Sequence, residues 1–244
     1  MSIDAVVRKP VSATCLRVAG FTPFTTIDFP KRLAAVVFLS GCPWRCQYCH
    51  NPELIKKGTT DGLLWADVLA YLHERQGWLD GVVFSGGEPT LNPHLPKMMT
   101  DVRALGFAVG LHTGGMFPER LKTCLAQVDW IGLDIKALPQ NYHRVVGRKR
   151  FLDGVWRSLE LLVKAKVDFE CRTTVIWSLM STSELLALAE LLAAKGVARY
   201  AIQMGRLNHC LDEKLQGSMN PLPETWPEIE ARLRTLFPKL EIRY

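Results

Sequence analysis

The sequence predicts an α/β fold, a single-domain partial (β/α)6 barrel built on a mainly parallel sheet. Six short apolar runs that are typical of buried strands alternate along the chain with segments of helical periodicity. The length of 244 residues fits one such domain, because single α/β barrels commonly run to about 200–250 residues. The sequence has no internal duplication, no low-complexity segment and no clear linker, so we expect one core domain.

The chain opens with a segment that we interpret as a lead-in to the core. Residues 1–30 contain a predicted short strand at Cys15–Val18, followed by a loop marked by Thr and Pro residues. The core domain is predicted to occupy residues 31–244 and to end with a helix and a strand. Its first strand is Leu33–Leu39, a continuous apolar run of the kind expected for a fully buried strand.

The rest of the core repeats the order strand, loop, helix. Further strands are predicted at Gly81–Ser85, Phe107–His112, Asp129–Asp134, Asp168–Ile176 and Tyr200–Met204, with a final strand near Leu240–Arg243. Helices are predicted at Leu63–Gln76, His94–Leu105, Pro118 to about Gln127, Leu152–Val163, and from a capping box of Ser181 and Glu184 to Gly196. A Pro-rich connection leads to the last helix. Folds of this kind carry their chemistry at the C-terminal strand ends, where the unusual polar motifs of this chain fall.

Composition narrows the class of protein. The apolar fraction of 48% and the charged fraction of 22% are ordinary for a soluble globular protein. The net charge of +6 is too small and too dispersed to argue for nucleic-acid binding. No apolar run approaches the roughly 18 residues of a membrane helix, and residues 1–11 have no apolar signal core. We therefore expect a cytoplasmic protein without a membrane partner.

One short loop carries the main functional clue. Cys42, Cys46 and Cys49 form a C-x3-C-x2-C pattern directly after the first core strand, whereas the other four cysteines are scattered and are expected to be small buried hydrophobes. Clustered cysteines in a cytoplasmic protein indicate metal or redox chemistry. Thiolates select iron–sulfur clusters, zinc or Cu(I), and a [4Fe–4S] cluster usually takes four cysteines. Three cysteines would leave one iron open to another ligand.

Two other metal sites are compatible with the same loop. Residues 46–50 match the C-x-x-C-H pattern of c-type haem attachment, which suits exported proteins and would leave Cys42 unexplained. A structural zinc site with His50 as its fourth ligand is the second alternative. Structural zinc sites usually pair two well-separated ligand couples, whereas all candidates here lie between Cys42 and His50.

Several motifs resemble those of the radical S-adenosylmethionine (SAM) superfamily. The three-cysteine loop, with Tyr48 just before its third cysteine, is similar to the superfamily's signature, and Gly86-Gly87-Glu88-Pro89 is similar to its second motif. Two runs, TTIDFP at 25–30 and CHNPEL at 49–54, resemble activases of glycyl-radical enzymes, and among these the activating proteins of anaerobic ribonucleoside-triphosphate reductase. The run RTTV at 172–175 agrees with that likeness.

The resemblance implies two cofactors and a reaction. A [4Fe–4S] cluster on Cys42, Cys46 and Cys49 would bind the amino and carboxylate groups of SAM through its open iron. An electron from the reduced cluster would cleave SAM to methionine and a 5′-deoxyadenosyl radical, which abstracts a hydrogen atom. No catalytic side chain is expected beyond the cluster and SAM, because the cofactor supplies the hard chemistry. The sequence has no second cysteine cluster, so we expect no auxiliary iron–sulfur centre.

The resemblance also implies a set of cofactor-binding residues. These are Tyr48, His50, Gly86, Gly87, Glu88, Thr113, Asp134, Lys136, Arg172 and Gln203. Gly86 and Gly87 would let the backbone approach a ligand and offer carbonyls to the SAM ammonium group. Glu88 would pair with that ammonium group or anchor its loop. A buried Arg172 needs an anion, for which the SAM carboxylate and Glu88 are the candidates.

Two strand ends carry further expectations from the same likeness. Asp134 and Lys136 lie on one face by strand alternation, and their Asp-x-Lys motif implies a place near the methionyl group of SAM. The alternative is a surface ion pair worth about 0–1 kcal/mol. Some relatives bind a monovalent cation through an aspartate where this chain has His112. Histidine is a poor ligand for a hard cation, which puts that site in doubt and leaves an ordinary hydrogen-bonded histidine as the alternative.

The implied partners are proteins. The resemblance implies a glycyl-radical enzyme as the target, anaerobic ribonucleotide reductase, and an electron donor such as flavodoxin. The segment His143–Arg150 carries Arg144, Arg148, Lys149 and Arg150, and it is either a solvated loop or a docking site for an acidic partner. Two alternative functions stay open. One is a radical SAM enzyme with a small-molecule substrate, of the 7-carboxy-7-deazaguanine synthase type, and the other is a non-catalytic zinc protein.

Overall fold

The computed structural model describes residues 16–58 and 61–244 and has the predicted α/β architecture. Its strands are β1 (Arg17–Val18), β2 (Gly20–Thr25), β3 (Ala34–Leu39), β4 (Leu63–Leu64), β5 (Gly81–Gly86), β6 (Ala108–Thr113), β7 (Trp130–Asp134), β8 (Asp168–Val175), β9 (Tyr200–Met204) and β10 (Glu241–Arg243). Its α-helices are α1 (Trp65–Glu74), α2 (Leu95–Ala104), α3 (Pro118–Cys124), α4 (Tyr142–Val146), α5 (Leu152–Lys164), α6 (Thr182–Ala194) and α7 (Trp226–Leu236). The first predicted strand includes Cys15, which lies outside the described residues.

An eight-stranded sheet forms the centre of the molecule, in the order β10-β9-β8-β7-β6-β5-β3-β2. The six predicted core strands, β3 and β5 to β9, are parallel neighbours within it. At one edge β10 extends the sheet in parallel, and at the other β2 pairs with β3 antiparallel. Because the order is linear, with β2 and β10 as its edges, the barrel is partial, and the predicted fold class is confirmed.

Three local assignments differ from the sequence prediction. β2 forms where a loop is predicted, because Pro23 and a register shift disguise a strand that lies at the sheet edge, where proline is tolerated. The helix predicted from Leu63 begins at Trp65, because Leu63–Leu64 pairs with β1. The short helix α4 forms at the start of the stretch His143–Arg150 and is too brief to show a helical period. The division between a lead-in of residues 1–30 and the core stays a prediction.

Strand alternation gives the sheet a helix-packed face and an interior face. On β3, Val37 and Leu39 join the large core, which includes apolar side chains from helices α1 to α7. Ala34 and Val36, the alternate residues, join a small interior cluster with Trp130. No helix in residues 16–58 or 61–244 is long and apolar enough to cross a bilayer.

Towards the carboxyl ends of the strands the interior face becomes polar. The strand register places His112, Gly132 and Glu170 side by side on β6, β7 and β8. Two residues further along, Asp134 of β7 stands beside Arg172 of β8. Because the strands are parallel, these residues meet at one end of the sheet. That end contains the candidate active site.

Candidate active site

A cleft of about 390 Å³ lies at the carboxyl end of the parallel strands. It is lined by every residue that the sequence analysis placed around the cofactors: Cys42, Cys46, Tyr48, Cys49, His50, Gly86, Gly87, Glu88, Thr113, Asp134, Lys136, Arg172 and Gln203. Its volume lies within the range of about 300–1,000 Å³ that small-molecule sites occupy. The fold therefore brings the predicted site residues together, while their individual contacts to a cofactor stay predictions.

The cysteine loop, residues 40–50, begins directly after β3 and is held by the chain that follows it. Gly41 donates its N–H to the Leu54 carbonyl at 2.7 Å, and Cys42 donates to the Ile55 carbonyl at 3.0 Å. Both acceptors belong to a single 3₁₀ turn, Pro52–Ile55. Part of the CHNPEL run thus has a structural role, because this turn closes the cysteine loop.

The three thiols lie in one short loop, and all of them line the cleft. Among the described residues, no group of three His, Cys, Asp or Glu side chains is arranged to hold a single ion. In a [4Fe–4S] cluster each cysteine binds a different iron, so the ligands stand further apart. Burial raises the pKa of the Cys42 thiol to about 12 and that of the Cys46 thiol to about 11. These thiols stay neutral until a metal displaces their protons.

Tyr48 offers an independent sign that the cleft fits a ligand. Its side chain is buried, and its hydroxyl group has no hydrogen-bond partner among the described residues. Buried polar atoms usually have a hydrogen-bond partner, so we expect a group from outside the chain to form a hydrogen bond with this hydroxyl. The Lys136 ammonium lies 5.7 Å from the centre of the Tyr48 ring, a cation–π contact. His50, at the end of the loop, is exposed.

Gly86 and Gly87 are required by the protein's own backbone. Gly86 has a φ of 119°, in the region that favours glycine, and a Cβ there would collide with the Leu39 carbonyl. A Cβ on Gly87 would lie 2.5 Å from the Gly41 carbonyl oxygen. Gly87 also donates its N–H to Leu39 at 2.9 Å. The sequence analysis explained the two glycines by the approach of a ligand, but the structure explains them by the packing of two loops.

Glu88 anchors its loop, one of the two roles predicted for it. The carboxylate is 1% exposed and accepts hydrogen bonds from Thr113 Oγ1 at 2.7 Å, Gly114 N at 2.9 Å and Thr90 N at 3.1 Å. The Thr90 hydroxyl also bonds to it. The Thr113 hydroxyl donates its proton to Glu88 and accepts a hydrogen bond from the Gly115 N–H at 3.0 Å. Because Glu88 is satisfied in this way, the predicted pairing of Arg172 with Glu88 is wrong.

Arg172 pairs instead with Asp134. Its Nε and Nη2 atoms lie 2.9 Å from Asp134 Oδ1, and Lys136 Nζ lies 3.4 Å from Oδ2. Burial alone would raise the pKa of Asp134, but the charges of Arg172 and Lys136 outweigh it and lower the pKa to about 2. Gly132 makes room for this arrangement, since a Cβ there would lie 2.7 Å from Arg172 Cζ. Whether Arg172 also binds a SAM carboxylate stays a prediction.

His112 is the hydrogen-bonded histidine that the sequence analysis gave as the alternative to a cation ligand. Its Nε2 lies 2.9 Å from the Asp28 carbonyl oxygen, which can only accept, so Nε2 carries the proton. Burial, followed by the positive charge of Arg172, lowers the pKa of His112 to about 3. The imidazole is therefore neutral at physiological pH.

The cleft also includes residues that the sequence analysis did not assign to it. Among these are Asp28, Asn51, Ser85, Met116 and Thr174. Strand alternation would have found Thr174, which lies two residues after Arg172 on β8 and so faces the same way. Asp28 stands in the TTIDFP run, and its carboxylate accepts a hydrogen bond from Thr25 Oγ1 at 2.6 Å. Only the folded chain shows that this run reaches the cleft.

Comparison with known proteins defines the class. The profile of the Radical SAM superfamily matches residues 36–192, which is more than half of the chain and includes the cysteine loop, the Gly-Gly-Glu-Pro motif and Arg172. The chain therefore belongs to the radical SAM superfamily. It is a radical SAM enzyme, and its cofactors are a [4Fe–4S] cluster and SAM. The haem and zinc alternatives are set aside.

Relatives place the chain more narrowly. It is 29% identical over 209 residues to a protein of Methanocaldococcus jannaschii whose provisional name is glycyl-radical enzyme activating enzyme, with 82% of this chain and 84% of the relative covered. It is 33% identical over 142 residues to the pyruvate formate-lyase-activating enzyme of Listeria monocytogenes, with 52% of this chain and 56% of that enzyme covered. These relatives confirm the resemblance to the activase group.

Solved structures support the fold. SuiB of Streptococcus suis, bound to its precursor peptide SuiA, superposes with a TM-score of 0.67 at 12% identity. The match covers 86% of this chain and 48% of SuiB, so the chain spans about half the length of that protein. At this identity the likeness concerns the fold alone.

Proposed function

We propose that this chain activates a glycyl-radical enzyme, by using SAM to place a radical on a glycine of that partner. The observation that carries the proposal is the cleft, in which three thiols, the unpartnered Tyr48 hydroxyl and the Asp134–Arg172 pair lie together. Relatives named as activating enzymes, at 29–33% identity, support the choice of reaction.

The target that the sequence favours is the anaerobic ribonucleoside-triphosphate reductase. Support comes from the TTIDFP and CHNPEL runs, which resemble the activating proteins of that enzyme. Both runs serve the cleft: Asp28 and Asn51 line it, and the Leu54 and Ile55 carbonyls close the cysteine loop. The likeness therefore concerns residues that shape the site.

The residues divide the work as follows. Cys42, Cys46 and Cys49 would hold the cluster and, as only three ligands, would leave it able to bind SAM. The bound cluster would supply the one-electron reductive cleavage of SAM, the chemistry that removes a hydrogen atom from the target glycine. Lys136 and Arg172 place two positive charges beside the cleft, where they suit the SAM carboxylate.

Five other residues would orient the cofactor without a formal charge. The Tyr48 hydroxyl, which has no hydrogen-bond partner within residues 16–58 and 61–244, is available to bond a ligand atom. Gly86 and Gly87 line the cleft, where their carbonyls suit the SAM ammonium group. His50 and Gln203 also line it and complete the predicted set.

The test is an anaerobic assay with three components: the cluster-loaded protein, SAM with dithionite, and anaerobic ribonucleotide reductase. We expect a glycyl radical on the reductase by electron paramagnetic resonance, together with 5′-deoxyadenosine. Cys46→Ala should abolish both signals, because the cluster loses a ligand, whereas Cys171→Ala, at a buried position in β8, should retain them.

Each negative result has a distinct meaning. Formation of 5′-deoxyadenosine without a glycyl radical on the reductase would contradict the proposed target and favour another partner or the small-molecule alternative. Retention of SAM cleavage by Cys46→Ala would falsify the ligand assignment. Metal analysis of the anaerobically purified protein should find iron and sulfide, at about four irons per chain.

A further inference from the structure

Three exposed cations follow helix α4 and form what we call the basic segment, residues 148–150. Arg148, Lys149 and Arg150 are all exposed, and within residues 16–58 and 61–244 none of them has a carboxylate within 4.0 Å. Arg144, earlier in the same stretch, differs because it lies 3.7 Å from Glu184. The basic segment is thus a patch of positive charge that the described chain does not neutralise.

The basic segment and helix α4 are joined to the cysteine loop by three hydrogen bonds. Arg45 donates its N–H to the Val146 carbonyl at 2.9 Å, and Gln47 donates to Val145 at 3.3 Å. At the last residue of the basic segment, the Arg150 carbonyl accepts a hydrogen bond from Trp44 Nε1 at 3.1 Å. The positive patch therefore borders the loop that holds the cluster.

Backbone geometry fixes the segment at both ends. Gly147 has a φ of 63°, and a Cβ there would lie 2.8 Å from the Arg45 carbonyl oxygen. Phe151 has a φ of 67°, which is rare for an aromatic residue and marks a conformation held in place by its surroundings. Its ring packs 5.0 Å from that of Phe117, and Arg150 lies over it at 5.6 Å. The backbone that carries the three charges is therefore fixed in one conformation.

The basic segment lies beside the cleft and not within it. Its three charged residues do not line the cleft, although Trp44, whose Nε1 bonds to the Arg150 carbonyl, and the three cysteines do line it. The cleft is the proposed place for SAM and for the target glycine, so the exposed charges of the basic segment stay accessible while both are bound. A reductant can therefore dock beside the cysteine loop in that state.

We infer that the basic segment is the docking surface for an acidic one-electron carrier protein that reduces the cluster. The carrier loses one electron and the cluster gains it, and no covalent bond forms or breaks in this step. This inference rests on the radical SAM chemistry of the proposed function. Charge complementarity selects the partner, since unpaired cations steer an acidic surface into contact and raise its association rate.

The test uses reduced flavodoxin as the acidic carrier and a charge-reversed variant with Arg148→Glu, Lys149→Glu and Arg150→Glu. The matched control reverses Lys122, Lys164 and Lys166, exposed cations near the opposite end of the strands, and changes the net charge equally. We expect the bimolecular rate of cluster reduction at low salt to fall roughly tenfold or more in the first variant and less than about twofold in the control. Added salt should lower the rate of cluster reduction in the wild type and reduce the difference in rate between the wild type and the charge-reversed variant. Affinity for oxidised flavodoxin should fall in parallel.

Dithionite separates this inference from the proposed function. It needs no docking surface, so both variants should cleave SAM and activate the target normally with it. Equal rates of reduction by flavodoxin in the two variants would overturn the inference. Normal reduction by flavodoxin with slow activation under dithionite would also overturn it, by assigning the segment to the target enzyme. Failure of the wild type to cleave SAM with dithionite would instead count against the proposed function.

Discussion

At the scale of single residues, the cleft is organised by polar groups that bind one another within the chain. Asp134 holds Arg172 and Lys136 on one side, and Glu88 ties two loop ends together on the other. His112 differs, because it is neutral and donates to a backbone carbonyl. Its burial in that neutral form has a consequence for stability.

His112 should make the protein less stable as the pH falls. Its folded pKa of about 3 lies below the value of about 6.5 for an unfolded histidine, so between these values the unfolded chain binds a proton that the folded chain does not. The free energy of unfolding should drop from pH 6.5 downwards, by up to about 1.4 kcal/mol per pH unit from this group. His112→Gln, which keeps a donor, should flatten that dependence.

The measurement is urea unfolding of the wild type and the variant at pH 7.5, 6.5 and 5.5. His73→Gln, at an exposed position on α1, is the matched control and should keep the wild-type dependence. If His112→Gln and the wild type lose the same free energy of unfolding between pH 6.5 and 5.5, the assignment of a neutral, partly buried His112 is wrong.

At the scale of elements, the loops at the carboxyl end of the sheet support one another. The Gly-Gly-Glu-Pro loop packs on the cysteine loop through Gly87, and α4 is bonded to the cysteine loop through Arg45 and Gln47. The capping box of α6, predicted from Ser181 and Glu184, is present, and Glu184 also accepts a hydrogen bond from Asn141 at the start of α4. Helix α6 therefore helps to position α4 and the basic segment beside the cysteine loop.

Trp44→Phe should loosen the basic segment. The change removes the hydrogen bond from Trp44 Nε1 to Arg150 but keeps an aromatic ring in a buried position. Losing one such bond costs about 1 kcal/mol, which raises the population of a detached segment roughly fivefold. Trypsin cleavage at Arg148–Arg150 should accelerate to a similar extent, because local cleavage tracks that population when reclosing is fast.

The control for this change is Trp78→Phe, at a residue that is 78% exposed. Its cleavage pattern should match that of the wild type. Equal cleavage rates at the basic segment in Trp44→Phe and the wild type would show that the hydrogen bond does not hold the segment.

At the scale of the whole molecule, the last strand, β10, is held to the sheet by an ion pair as well as by backbone hydrogen bonds. Arg243 of β10 reaches across β9 to Glu170 of β8, with Nη2 and Oε1 3.0 Å apart. The Glu170 side chain is 7% exposed, and burial raises its pKa against the opposing effect of Arg243. A buried carboxylate of this kind depends on its partner.

Arg243→Met should destabilise the protein by about 2–3 kcal/mol, because it leaves the Glu170 carboxylate buried without its cation. The double change Glu170→Gln with Arg243→Met should restore most of the loss, since the remaining group is neutral. Urea unfolding at pH 7 measures both. Arg234→Met, on α7, removes a more exposed ion pair with Glu230 and should cost less than about 1 kcal/mol. A double variant as unstable as Arg243→Met would contradict this account.

The fold and the residues that line the site could be predicted from the sequence, because both follow from local patterns. Apolar runs locate the strands, and a parallel sheet brings their carboxyl ends together, so residues as distant as Cys42 and Gln203 line one cleft. The hydrogen-bond and ion-pair partners within the cleft could not be predicted in the same way. The sequence suggested the SAM carboxylate or Glu88 as the anion for Arg172. In the structure Arg172 binds Asp134 instead, which depends on strand register and on the space above Gly132. Contacts between loops, such as Trp44 with Arg150, have no local signal.

The two edges of the open sheet bear on how the protein behaves in concentrated solution. A free strand edge is a template on which another chain can add a strand, and such pairing leads to aggregates. Here β2 carries Pro23 and a register shift between Thr22 and Thr25, and β10 is three residues long. Neither edge offers a long regular row of free N–H and C=O groups. The open barrel should therefore not aggregate through its edge strands. The protein should tolerate the high concentrations that electron paramagnetic resonance requires.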